Sequence, residues 1–180
     1  MLAALALQAA CASAPVREPT ELLDEQTGAT LVVVAEPLVF ARARVDVAAN
    51  ARDYATLVAV EANRSGKYSQ YLLLHRWSTV DRRMAALPPP GAGRLLIQAD
   101  GRVLEFKPLV PTPAALARRD HVFLPDDADV VSWAYDCDQA TLAYLAASHD
   151  IELRLPEESL DAPFALWGDG RAALRALAAR

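Results

Sequence analysis

The stretch Tyr54–Val80, YATLVAVEANRSGKYSQYLLLHRWSTV, limits the possible folds more than any other part of the chain. Two long apolar runs rich in Tyr, Val, Leu and Trp are joined by Asn63-Arg64-Ser65-Gly66, where the glycine supplies the positive φ of a tight reversal. This pattern predicts a β-hairpin. Along its second arm one set of alternate residues is Tyr71, Leu73, His75 and Trp77, and the other is Tyr68, Gln70, Leu72 and Leu74; neither set is plainly polar. A strand that is apolar on both faces needs cover on both, which places this hairpin in the middle of the domain.

A second hairpin follows a Pro88-Pro89-Pro90-Gly91 connection that neither a helix nor a central strand tolerates. Asp100-Gly101 is a two-residue turn of the I′ kind, so Ala99 faces Arg102, Ile97 faces Leu104 and Leu95 faces Phe106. Those pairs form one apolar face. The other face, with Gln98 beside Val103 and Leu96 beside Glu105, is mostly polar, so this hairpin covers the core with one side wet. Earlier in the chain, residues 29–44 give two apolar pieces broken at Glu36-Pro37, which reads as an edge strand or as one strand bent at a bulge.

Toward the C-terminus the period changes. Residues 114–119 suit a single helical turn, 121–124 a short strand, and Val130–Tyr135 a longer one. Asp138 caps a helix in which Leu142, Leu145, Ala146 and His149 share a face. Ile151–Leu155 alternates as a strand, and Asp169 caps a last helix carrying Leu174, Leu177 and Ala178 on one side, flanked by Arg171 and Arg175. Strands joined by hairpins and followed by helices predict one α+β domain over residues 29–180. It is expected to be an antiparallel, β-sandwich-like sheet of about seven strands, with two helices toward the C-terminus.

The chain opens with MLAALALQAACASA, an apolar Ala/Leu run too short to span a bilayer but of a length that suits the core of a secretory signal. Its end, Gln8-Ala9-Ala10-Cys11, with small residues before a cysteine, resembles the signal of a small bacterial envelope lipoprotein. That resemblance implies cleavage after residue 10, lipidation of Cys11, and a tether over residues 11–28. Ala12 after the cysteine, where an aspartate would signal inner-membrane retention, implies the outer membrane, facing the periplasm. Ala10-Cys11-Ala12 also satisfies the small-x-small cleavage rule of a plainly secreted protein, which would discard Cys11. Cys137, between Asp136 and Asp138, reads as a small buried hydrophobe, because neighbouring carboxylates disfavour a thiolate.

A formal charge of −5 excludes nucleic acid as a partner, since a phosphate-binding surface shows clustered Lys and Arg. Asp126, Asp127 and Asp129 bring together enough oxygen ligands to interest a hard cation, but the rest of an EF-hand loop is missing and a solvated acidic turn is the simpler reading. His75, His121 and His149 lie far apart and form no HExxH, and Ser65-Gly66-Lys67 lacks the first glycine of a phosphate loop. No GxSxG is present, and scattered Ser, His and Asp residues discriminate nothing. We expect no cofactor and no metal.

One feature suggests recognition. Tyr71, His75 and Trp77, with Arg64, Arg76, Arg82 and Arg83 near the hairpin ends, are the residue types found where a protein binds another envelope protein or an anionic glycan. Core packing of the aromatics is the plainer alternative. The expectation is therefore a non-enzymatic envelope lipoprotein presenting a binding or structural domain; the alternative is a small periplasmic hydrolase or metal-dependent enzyme. A pocket joining His121 or His149 to carboxylates would favour the enzyme, and an exposed Tyr/Trp/Arg patch the binding module.

Overall fold

A computed structural model of the chain describes residues 18–80, 93–117, 130–156 and 162–180. The central hairpin is present, with strands β4 (Arg52–Arg64) and β5 (Lys67–Ser78) paired along their whole length. Ser65 and Gly66 make the turn with φ of 53° and 82°, the two left-handed residues that a I′ reversal requires. Ahead of it lie β1 (Thr20–Asp24), β2 (Ala29–Val33) and β3 (Leu38–Ala43). After it come β6 (Leu95–Ala99), β7 (Arg102–Phe106), β8 (Val131–Cys137), helix α1 (Gln139–Ala147), β9 (Ile151–Arg154), β10 (Phe164–Gly168) and helix α2 (Arg171–Ala178).

Every strand pair is antiparallel, and β4 is the branch point of the sheet. β5 occupies one side of β4 and carries β8 beyond it. On the other side β2 and β3 lie end to end, β3 against residues 52–57 and β2 against residues 60–63. The break at Glu36-Pro37 is thus a bend in one long path, kept in register by Val34 N donating to Ala59 O at 3.1 Å. It is not at an edge: β1 continues the sheet from β2, and β10, β9, β6 and β7 continue it from β3.

Among the described residues there are ten strands where the sequence predicts about seven, and β1 and β10 account for most of the excess. The strand expected at residues 121–124 lies outside the described residues. β1 occupies part of the span read as a tether. Its only inward apolar partner is Leu22, opposite Leu31, so its sequence shows no core face. The reversal into β2 is built by Asp24, whose carboxylate accepts from Gln26 N and the Thr27 hydroxyl, and by Gly28 at φ 67°. β10 is short and lies between Pro163 and Gly170, with a bulge between Leu166 and Gly168.

One face of the sheet forms the main core. Phe40, Leu57, Leu72, Leu74, Leu95, Ile97, Tyr135, Leu153 and Phe164 are buried there. The predicted pairs of the second hairpin are all present, with Leu95, Ile97 and Ala99 buried and Gln98 and Glu105 exposed. The sheet curls until its ends approach without pairing as strands. Phe106 meets the Tyr135 ring edge-on at 6.2 Å, Tyr135 donates to Gly93 O at 2.7 Å, and Leu109 N donates to Ala134 O at 2.8 Å.

The helices close the core and hold each other. Asp138 caps α1, accepting from Thr141 N at 2.7 Å, and Leu142, Leu145 and Ala146 point inward. Leu174 of α2 is buried and lines a small cavity together with Leu57, Ala59 and Leu72. Full burial of each such leucine contributes about 1.5–3 kcal/mol. The carbonyls left open where α1 ends are satisfied from α2: Arg175 donates to Ala146 O at 2.9 Å, and Arg171 to Ser148 O at 2.6 Å and His149 O at 2.9 Å. Gly170 is needed where α2 begins, because a Cβ there would stand 2.3 Å from Glu36 O. Asp169 lies one residue outside the cap position and bonds Arg171 through both backbone and guanidinium.

Candidate functional site: an aromatic surface on the central hairpin

The second face of β4 and β5 changes character along its length. Val58, Val60 and Leu73 are buried and Tyr71 packs against the same cluster. Toward the end of the hairpin away from its turn, Tyr54 pairs with Trp77 across the two strands. Their rings stack with centroids 4.2 Å apart and planes 11° from parallel. Trp167, pushed outward beside the β10 bulge, meets Tyr54 edge-on at 6.4 Å and is 62% exposed. Arg52 lies over the Trp167 ring, 5.0 Å from its centroid. The Trp77 indole N–H reaches the Thr56 hydroxyl at 3.5 Å.

The opposite face at this end carries a buried ion pair that fixes the strands. Arg42 donates to Asp53 at 2.8 Å, both side chains nearly inaccessible to water, and stacks over Phe164 at 4.2 Å. Arg44 reaches the same carboxylate at 3.5 Å and Asp46 at 3.0 Å. Burial alone would push the Asp53 carboxyl up; hydrogen bonds from Arg42 and Ser78 and the charges of Arg42 and Arg44 outweigh it and hold it below the usual carboxylate range. Because Tyr54 follows Asp53 directly, this pair sets the position of the aromatic surface on the other side.

The structure redistributes the residues singled out in the sequence. Trp77 belongs to the aromatic surface, Tyr71 lies higher on the same face in the core cluster, and His75 between them is buried, 2% exposed. Arg76 is half-buried on the opposite face, level with Ala55 and Val131, and Arg64 is exposed beside the turn at the far end of the hairpin. Arg82 and Arg83 lie outside the described residues, as do Cys11, His121, Asp126, Asp127 and Asp129. His149 is exposed, its backbone N–H donating to Asp100 at 3.0 Å. Cys137 is held as an inert thiol: burial, then the neighbouring Asp138 charge, push it up to about 12.

Tyr54, Trp167 and Arg52 are the members that sequence reasoning missed. A signal existed for Tyr54, since a turn at Ser65-Gly66 fixes its register opposite Trp77. Trp167 arrives through the pairing of β10 with β3, between residues far apart in sequence. Among the described residues no group of three or more His, Cys, Asp or Glu is placed to hold a metal ion, and no helix is long and apolar enough to cross a membrane. No protein-family model, curated protein or solved structure matches the chain.

Proposed function

We propose that this chain is a cell-envelope protein, anchored through a lipid on Cys11 and facing the periplasm from the outer membrane, whose domain binds an anionic glycan on the Tyr54–Trp77–Trp167 surface. The observation that carries the binding half is the exposed Trp167 ring beside a stacked Tyr–Trp pair, with the Arg52 guanidinium over it. A flat ring accepts the apolar C–H face of a sugar, and a planar guanidinium matches a carboxylate with two parallel hydrogen bonds. Size favours a glycan over a folded protein. Three aromatic side chains offer at most about 450–750 Å² when fully exposed, and a stable protein interface takes about 800 Å² from each partner. Here two of the three rings are already half-covered. The address half rests on Gln8-Ala9-Ala10-Cys11 and Ala12 in the sequence.

Two measurements test the halves separately. Expression in a Gram-negative host followed by membrane fractionation and intact mass should find acyl mass on the wild type and none on Cys11→Ser; a soluble, unmodified wild type contradicts the anchor. Co-sedimentation with purified peptidoglycan sacculi should retain the Cys11→Ser protein and lose it on Trp167→Ala. Equal sedimentation of both proteins, or of neither, contradicts the glycan surface.

A further inference from the structure

His75 and Ser132 face each other across β5 and β8, and His75 Nδ1 lies 2.9 Å from Ser132 Oγ. That is within the reach at which a base activates a serine nucleophile. The histidine is 2% exposed, held in the middle strand of three, with Thr56 as its neighbour on the other side. Such a ring has little freedom to leave its partner. The serine is only half-buried and opens on a cavity of about 160 Å³. Leu73, Leu116 and Ala117 give that cavity an apolar side, while His75, Ser132 and Thr112 give it polar groups. A cavity of about 150 Å³ accommodates a benzene-sized group, so this one takes a short acyl chain and little more.

We infer that Ser132 and His75 form a nucleophile–base pair for transfer of a short acyl group from an ester. The Ser132 oxygen adds to the ester carbonyl carbon while its proton passes to His75 Nδ1, which accepts it as the Nε2–H tautomer. The carbonyl π pair moves onto oxygen. When it returns, the bond to the alcohol oxygen breaks, and that oxygen leaves with the proton from Nδ1. A water then gives a proton to Nδ1 and adds as hydroxide to the acyl carbon. The acid departs, and the proton returns to Ser132. Neither oxidant nor reductant is needed.

The surroundings suit such a substrate. His75 lies two residues from Trp77 on the same face of β5, about 7 Å along the strand, so the alcohol part of an ester would extend toward the aromatic surface. The pair itself does not depend on the glycan reading. Loss of sacculus binding would leave it standing, and its failure would leave that binding intact.

The test is labelling of the full chain with a fluorophosphonate. Ser132 Oγ forms the bond to phosphorus as fluoride leaves and the proton goes to His75. The expected result is a phosphonyl mass on the peptide carrying Ser132, abolished in Ser132→Ala, together with hydrolysis of p-nitrophenyl acetate that the same variant loses. Replacing His75 by Gln should slow labelling about 100-fold, the lower end of what a positioned base contributes. Because His75 is buried, the decisive comparison is between the wild type and Ser132→Ala, the smaller change. A folded wild type that gains no adduct at Ser132, or whose ester hydrolysis survives Ser132→Ala, overturns the inference.

Discussion

Asp53 and Arg42 meet inside the protein at 2.8 Å, and a buried pair of this kind is worth most when one partner is taken away. Asp53→Asn removes the carboxylate from a guanidinium that is shielded from water. Unfolding in denaturant should show a loss of about 3–5 kcal/mol. The acid limb should change with it. Because the Asp53 carboxyl is held below its usual range in the folded chain, its contribution is complete above the unfolded value near 4 and is lost as pH falls through the folded value. Wild-type stability should therefore decline below about pH 4, and less steeply in Asp53→Asn. A variant as stable as wild type at neutral pH would contradict this account. Nothing in the sequence marks Asp53 for this role: only the pairing of β3 with β4 brings Arg42 opposite it.

At the scale of elements, local chemistry was readable and distant pairing was not. The Asp100-Gly101 turn fixes three pairs of the second hairpin, and Asp138 announces α1, because each depends on residues a few positions apart. Asp100 does more than its turn suggests. At φ 45° it also accepts from His149 N and Asp150 N, tying the hairpin to the loop after α1. β1 and β10 escaped notice because each is five residues long and presents little apolar surface of its own. The approach of the sheet ends depends on Gly93, at φ 102°, where a Cβ would stand 2.2 Å from Trp133 Nε1 and no other residue fits without displacing the indole. Gly93→Ala should destabilise by about 2–4 kcal/mol, combining backbone strain with overpacking, as read by thermal or denaturant unfolding. A loss below about 0.5 kcal/mol, the range of ordinary surface changes, would mean that the sheet ends are not held as described.

Taken as a whole, the molecule is one curled antiparallel sheet whose central hairpin is buried through its middle and surfaces at its turn and again at the opposite end. At that opposite end the aromatic rings gather. There β4 supplies Tyr54, β5 supplies Trp77 and β10 supplies Trp167, so the surface exists only after three separate parts of the chain have paired. That is why the sequence pairs Trp77 with residues of its own strand and not with Tyr54 and Trp167. Tyr71 and His75 share its strand face, but His75 is buried and Tyr71 packs against the core cluster, while Arg52 lies over the Trp167 ring. Trp77 and Trp167 also make the surface its own reporter, with Trp133 on the interior side of β8. The most direct measurement is a tryptophan-emission titration of the wild type and Trp167→Ala with a soluble uronate oligosaccharide. A saturable change in the wild type, weakened in the variant at least about tenfold, or ~1.4 kcal/mol, is the predicted result. No saturable change, or the same affinity in both proteins, would contradict the aromatic surface as the binding site.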